Sequence, residues 1–286
     1  MIFLFLSVLF STGLFVIFKY FGIYKIDVLK AIVVNYIVAF SMGFLLADRK
    51  IPISEIYLEP WFPGSLVLGA LFIAIFFIMA MTAQKNGVSV TSIAGKMSVV
   101  IPVFFGIILY NESVTFLKIT GIIIALIAVY LSSVKAEKSN KNGTLLFPIL
   151  LFLGSGAIDT ILKYIQVTHV AEEDISIFSG SLFGIAAIFG IVILVFKTLK
   201  KRTFFGVKNI IAGIVLGVPN YFSIIFLIKA LQNNRFESST LFTINNVAIV
   251  IVSTLVGLLL FKEKFSTKNK IGVFLAILGI ILVTIA

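Results

Sequence analysis

The chain has 286 residues, of which 60% are hydrophobic and only 12% are charged, so its polar side chains are too few to cover a soluble globule. It contains no cysteine and a single histidine, which excludes disulfides and cysteine-ligated metals and leaves no expected metal site or cofactor. The net charge of +11 comes from Lys and Arg in short segments between apolar runs, as the positive-inside rule predicts, so nucleic acid is not an expected partner.

Ten apolar runs follow one another along the chain, and each approaches the roughly 20 residues that a transmembrane helix needs. The first run begins at Ile2 without a basic segment before it and without a small-residue cleavage site after it. We therefore interpret it as a retained span and not as a signal peptide. The predicted spans are residues 2–18, 28–47, 62–84, 89–110, 114–134, 144–165, 175–196, 208–230, 238–261 and 267–286.

One phrase occurs twice, 151 residues apart. Residues 106–112 read GIILYNE, and residues 257–263 read GLLLFKE. Each copy leads through a short polar turn into a second matching segment, GIIIA at 121–125 and GVFLA at 272–276. A repeat of this length in so apolar a chain predicts two homologous membrane halves.

The halves that this repeat predicts are residues 1–134 and 144–286, each with five helices, joined by a charged linker at 135–143. Because five is odd, the two halves must enter the membrane in opposite orientations. The predicted fold is therefore an all-α integral membrane protein of ten transmembrane helices, built as two inverted five-helix repeats around a central cavity.

Proline and small residues mark predicted details of these helices. Pro102, Pro148 and Pro219 lie within or near the start of the fourth, sixth and eighth spans, where each removes a backbone donor and permits a kink. Small residues at three- and four-residue steps predict close helix packing. These residues are Gly121, Ala125, Ala128, Gly180, Gly184, Gly213, Gly217, Gly272, Ala276 and Gly279.

The paired phrases end in Glu112 and Glu263, and each is followed by a turn with Thr or Ser and by a glycine-bearing final helix. With the duplicated five-helix layout, they make the chain resemble the drug/metabolite transporter superfamily, in its ten-helix EamA-like branch. The resemblance covers essentially the whole chain. It implies a secondary carrier or facilitator for amino acids or other small organic metabolites in the inner membrane, often working outward.

Two charges are predicted to lie deep within spans and away from their ends, where an uncompensated charge costs about 3 kcal/mol or more. The uncharged run 97–110 is too short to cross a membrane, so Lys96 must lie in the membrane zone, and Asp159 follows the uncharged run 142–158. In the resembled family, the helices that carry them both border a central cavity. We expect Lys96 to attract a substrate carboxylate or phosphate, while Asp159 either neutralises Lys96 in the empty site or carries a coupling proton.

A structural alternative stays open for both charges. They can form a fixed salt bridge, or Lys96 can extend along the helix to the nearer interface.

Neutral polar residues extend the candidate substrate site. Asn245 and Asn246 in the ninth span align at the repeat offset with the two residues directly before Lys96, which predicts polar groups at matching depth in both halves. Asn220 follows Pro219, where its amide can serve the kink or a ligand. The further candidates are Ser11, Thr12, Asn35, Thr91, Ser92, Ser155 and Tyr221.

The repeated glutamates themselves are predicted to be architectural. Glu112 and Glu263 each lie in the turn before a helix, where a carboxylate can accept hydrogen bonds from free N–H groups and favour the positive helix end.

The predicted orientation rests on the distribution of basic residues. One set of loops carries 16 Lys and Arg and the other set 6, with Lys96 excluded. The positive-inside rule then places both termini outside the cytoplasm. The resemblance implies the reverse, with both termini cytoplasmic.

Two other functions compete with the carrier. A lipid-related flippase or a non-transporting membrane scaffold fits the same spans. An enzyme is not expected, because the spans contain no paired aspartates, no serine with a base and no histidine cluster. The chain has no nucleotide-binding Gly-rich loop, which leaves downhill movement or coupling to an ion gradient such as protons.

Overall fold

The computed structural model of the chain describes residues 2–46, 52–110, 115–133, 145–171, 174–200, 206–231 and 238–285. This part of the chain is mostly helical and contains no strand. A short 3-10 helix, Ile53–Leu58, precedes the third long helix. The α-helices are α1 (Ile2–Ile23), α2 (Val28–Leu45), α3 (Phe62–Lys85), α4 (Val88–Met97), α5 (Val100–Tyr110), α6 (Phe116–Ser133), α7 (Leu146–His169), α8 (Ile175–Lys200), α9 (Val207–Leu231), α10 (Ser238–Leu259) and α11 (Thr267–Ile285).

A helix lies at each of the ten predicted spans, with α4 and α5 together covering the fourth. Seven described segments are long and apolar enough to cross a membrane, and α4 with the start of α5 is one of them, Val88–Phe105. Two further apolar stretches, Ile119–Ser132 and Ile244–Leu259, are shorter. The helical membrane-protein architecture that the composition predicts is confirmed to this extent, because apolar length is what fixes such spans.

The chain divides into two compact units, and each contains segments from both predicted sequence repeats. Unit 1 consists of Met1–Tyr20, Ile78–Ala157 and Phe222–Ala286. Unit 2 consists of Phe21–Phe77 and Ile158–Tyr221.

In unit 1, α6 packs closely along α11. A Cβ atom added to Gly121 would meet Val283, and one added to Gly272 would lie 2.5 Å from the backbone nitrogen of Ser132. Contact partners with rising numbers in α6 have falling numbers in α11, so the two helices are antiparallel. Close packing of the small residues, as predicted from their spacing, is confirmed here.

The second pair of unit 1 is α4 and α10, which also run antiparallel. A Cβ atom at Gly257 would lie 2.5 Å from Ser89 Oγ, and one turn further along, Ser253 donates a hydrogen bond to Ser92 Oγ. Serine hydroxyl groups therefore meet in this interface, together with Gly257.

In unit 2, α2 packs antiparallel to α8. Gly43 lies against Gly180, and Phe40 lies against Gly184 further along. On another side of α2, Gly213 of α9 approaches Val34 so closely that a Cβ atom would clash with it. The predicted packing roles of these glycines are confirmed, since each allows a neighbouring backbone or side chain to come close.

Candidate functional site

The fourth span is interrupted in its middle. Helix α4 ends at Met97 and α5 begins at Val100, so Ser98 and Val99 separate them. The cause is Pro102, because a proline has no N–H for the carbonyl four residues earlier and its ring crowds that carbonyl. The carbonyl of Ser98 accepts instead from Ile101 N–H at 2.9 Å, and Ser98 Oγ donates to Gly95 O at 2.7 Å. The predicted irregularity at Pro102 is confirmed.

Lys96 lies directly before this interruption. It is about 12 Å from the start of α4 by the helical rise per residue, and the hydrocarbon core is about 30 Å thick. The Lys96 side chain is half-buried, while none of the ten residues of α4 is exposed. Lys96 and its neighbour Gly95, where an added Cβ atom would have nothing within 4 Å, therefore form a small accessible patch on an enclosed helix.

Asn245 and Asn246 lie level with the interruption. The contacts of Ser89 with Gly257 and of Ser92 with Ser253 set the register of α4 on α10, and continuing it brings the two asparagines level with the start of α5. Asn245 is buried, and in the described part of the chain its Oδ1 atom has no hydrogen-bond partner. A carbonyl oxygen without a donor in a membrane span is costly unless water or a ligand reaches it.

Unit 1 contains further buried hydroxyl groups, of which Thr12 is a sequence candidate and Thr254 was not singled out from the sequence. The hydroxyls of Thr12 in α1 and Thr254 in α10 are buried, and among the described residues they have no partner. Ser11 is only half-buried, whereas Ser7, one turn earlier, is buried and donates to Ser223 O at 3.1 Å. No local sequence signal separates these residues from ordinary Ser and Thr of apolar helices, which commonly bond within their own helix.

In unit 2, three of the other predicted residues come together on α2 and α9. Asn220 Nδ2 donates to Asn35 Oδ1 at 3.2 Å, and both side chains are buried. The Nδ2 atom of Asn35 has no partner within the described ranges. Tyr221 is buried and packs near Gly43. The amide after Pro219 thus binds another amide across the helix pair.

Asp159 lies near the centre of α7, as its place in the sequence predicts, and its side chain is exposed. It belongs to unit 2, whereas Lys96 belongs to unit 1. The pairing of the two charges stays a prediction.

Glu263 caps a different helix from the one expected. Its N–H bonds to Gly257 O at 2.9 Å, which ties Glu263 to the end of α10 instead of the start of α11. The carboxylate accepts from Val88 N–H at 2.7 Å, at the start of α4. The prediction that Glu263 caps the start of α11 is therefore wrong. Glu112 lies outside the described residues.

Helix α11 is capped by its own residues. Ser266 N–H donates to Asn269 Oδ1 at 2.9 Å, and Asn269 N–H donates to Ser266 Oγ at 3.2 Å. This reciprocal pair is a capping box with Asn in the place of Glu. The Asn269 amide also donates to Ser132 O at 2.8 Å, which satisfies a carbonyl at the end of α6.

Comparison with known proteins gives matches along nearly the whole chain. The chain matches no protein-family model. It is similar to an uncharacterized protein of Haemophilus influenzae, with 27% identity over 282 residues that cover 96% of this chain and 94% of the relative. A solved crystal structure of another protein matches 98% of this chain and 96% of its own, with a TM-score of 0.56 and 13% identity. At that identity the match shows a shared fold and nothing about function.

Proposed function

We propose that the chain is a secondary transporter or facilitator that moves a small organic metabolite, such as an amino acid, across the inner membrane, with export as the expected direction. The observation that carries this proposal is the interruption of the fourth span beside Lys96. Broken helices near the bilayer midplane are a recurrent way to build substrate sites in secondary transporters, because irregular backbone is tolerated there only when it is buried or lines a cavity.

The charge of Lys96 supports a site with access to water. A lysine at mid-membrane is costly in lipid, and its helix is enclosed by protein along its whole length. A half-buried lysine in that setting favours an aqueous space and a ligand with a negative group, a carboxylate or a phosphate. The amides of Asn245 and Asn246, which the register places about 6 Å further along the span by the helical rise per residue, add neutral hydrogen-bonding groups for the rest of a solute.

The packing of counterpart helices supports two inverted repeats. Counting five spans to each repeat, α2 corresponds to α8, the α4–α5 span to α10, and α6 to α11. The members of each pair contact one another and run antiparallel. Equivalent helices of two repeats run in opposite directions when the repeats enter the membrane in opposite orientations, as the EamA-like resemblance implies.

The competing lipid-related function has one observation in its favour. An apolar groove of about 280 Å³ lies between α6 and α7 and is wide enough for part of an acyl chain. The described residues that line it are all uncharged. It is lined by Leu126, Val129, Tyr130, Leu145, Ile149, Phe152 and Leu153.

Counterflow in proteoliposomes tests the transport proposal. A panel of amino acids, organic acids and sugars is loaded, and uptake by the wild type is compared with uptake by Lys96→Ala. We expect the uptake of at least one anionic or zwitterionic solute to fall about tenfold or more, the size of one lost charge-assisted hydrogen bond. Lys197→Ala, which removes an exposed charge at the end of α8, is the matched control.

Two outcomes would oppose the proposal. If no solute in the panel required Lys96, the site would have to be abandoned. If labelled phospholipid, and no soluble solute, were moved in a Lys96-dependent way, the lipid-related function would replace it. An exchange of Lys96 and Asp159 asks a narrower question, because full recovery of transport by the exchanged pair would favour a structural ion pair.

A further inference from the structure

The start of α4 lacks a cap of its own. Gly87 is the residue before the helix and has no side chain to accept hydrogen bonds from the first free N–H groups. Such groups are costly when buried, and Val88 and Ser89 are both buried.

Glu263 supplies the missing cap from 175 residues away in the chain. Its Oε1 atom accepts from Val88 N–H, and its Oε2 atom accepts from Ser89 N–H at 3.4 Å and from Ser89 Oγ at 3.0 Å. The three donors converge on one carboxylate at the positive end of α4, the geometry in which a negative charge is most stabilising.

The same carboxylate is connected to α1. Lys19 Nζ lies 3.9 Å from Glu263 Oε1 and also donates to Gln84 O at 3.4 Å, at the end of α3. Gln84 Nε2 donates in turn to Phe18 O at 3.2 Å. Glu263 is therefore the point at which the α10–α11 turn, the start of α4 and the end of α1 meet.

Helix α4 is bounded at both ends by backbone irregularities. At its start Gly87 has a φ of +108°, a conformation that residues with a side chain rarely adopt. At its end Ser98 and Val99 interrupt the span. The ten residues between them form a short segment. Ser98 keeps helical backbone angles, with φ −56° and ψ −19°, so side-chain contacts matter most at the Gly87 end.

We propose that Glu263 is a positioning residue for Lys96, because its carboxylate fixes the start of α4 and so sets the depth and rotation of the lysine. The geometric part of this inference is independent of transport, and its meaning for solute binding rests on the proposed function. Loss of the Glu263 charge should let α4 move about the interruption and expose the patch around Gly95 more often.

The chain suits a thiol-labelling test because it contains no cysteine. A single cysteine is introduced as Gly95→Cys, where an added Cβ atom meets nothing within 4 Å. The protein is placed in lipid nanodiscs, which leave both faces accessible. The rate of labelling by a trimethylammonium methanethiosulfonate is then measured with and without Glu263→Gln. Loss of a helix cap of ordinary strength predicts an increase of about fivefold.

Four variants identify which interaction of Glu263 causes the change in labelling rate. Glu55→Gln removes an exposed carboxylate and should leave the rate unchanged. Lys19→Gln removes the long ion pair and keeps the cap, so it should change the rate less than Glu263→Gln does. Glu263→Asp keeps the charge on a shorter side chain and should give an intermediate rate. Ser89→Ala removes one donor alone and should raise the rate about twofold.

The inference is overturned if Glu263→Gln and Ser89→Ala both label Gly95→Cys at the parental rate. It is also overturned if labelling of a cysteine at Gly206, an exposed position before α9, rises equally, because that result means general loosening of the fold. The labelling experiment and the counterflow experiment can give negative results independently of each other. A solute panel that does not need Lys96 removes the proposed function, while an altered labelling rate still establishes that Glu263 positions α4.

Discussion

Two helix pairs of unit 1, α4 with α10 and α6 with α11, have the same antiparallel geometry and opposite chemistry. Along α6 and α11, Gly and Ala allow the backbones to approach, and both helices are continuous. Along α4 and α10, serine hydroxyls meet, a lysine lies in mid-span, and one helix is broken. The first pair holds the fold together by close packing, whereas the second carries the polar groups on which the proposed solute site rests.

The largest effect is expected from a substitution that disrupts the close packing of α6 against α11. Gly272→Ala places a Cβ atom 2.5 Å from the Ser132 backbone nitrogen, so one helix must move away from the other. Overpacking of this kind destabilises by about 1–3 kcal/mol. We expect a lower thermal midpoint in detergent and a smaller yield of folded protein.

Gly13→Ala in α1 is the matched control for that substitution. An added Cβ atom there meets nothing within 4 Å, and alanine is the better helix former by about 0.5–1 kcal/mol. The thermal midpoint should stay the same or rise. If Gly272→Ala and Gly13→Ala lowered the thermal midpoint equally, close backbone contact would not be what stabilises the α6–α11 pair.

The second prediction concerns a substitution in the α4–α10 pair that should make its interrupted helix continuous, as α6 and α11 are. Pro102→Ala restores an N–H that can bond to Ser98 O, so α4 and α5 should join into one helix. Amide hydrogen exchange near the junction should slow, and the thermal midpoint should rise. Because the joined helix turns Lys96 and removes the irregular backbone, we expect counterflow to fall about tenfold, equivalent to 1.4 kcal/mol.

A carrier that works normally with Pro102→Ala would separate the interruption from transport. In that case the charge of Lys96 alone would remain as the basis of the site.

The smallest effect is expected from removing the hydrogen bond between Ser253 of α10 and Ser92 of α4. Ser253→Ala removes one hydrogen bond between α10 and α4, and such bonds contribute about 0.6 kcal/mol on average inside membranes. We expect a small decrease in the free energy of unfolding. Ser41→Ala serves as the control, because its exposed hydroxyl bonds within its own helix. If Ser253→Ala lowered the free energy of unfolding by about 2 kcal/mol or more, the α4–α10 pair would stabilise the fold as strongly as the α6–α11 pair does.

The positions of the helices could be predicted from the sequence because each depends on a local quantity. A run of about 20 apolar residues between charged turns fixes a span, and the ten spans lie within a few residues of their predicted ends. Pro102 predicted the irregular fourth span for the same reason, since the donor it lacks belongs to its own helix. The spacing of Gly121 and Ala125 predicted a packing face.

The partner of Glu263 could not be predicted in this way. Its contact with Val88 joins residues 175 apart and depends on how α10 packs against α4. The sequence offered a nearer helix start at Ser266, but Ser266 and Asn269 cap that helix themselves. The contact between Asn35 and Asn220 is likewise tertiary, and nothing in either local sequence indicates that the two amides meet.

The contact between Gly87 and Glu263 has a consequence for how this protein can vary over evolution. A Cβ atom at position 87 would lie 2.5 Å from the Glu263 carboxylate and would require a strained backbone. The two positions are therefore expected to covary. A relative with a larger residue in place of Gly87 should also have replaced Glu263, and its fourth helix should begin with a cap of its own.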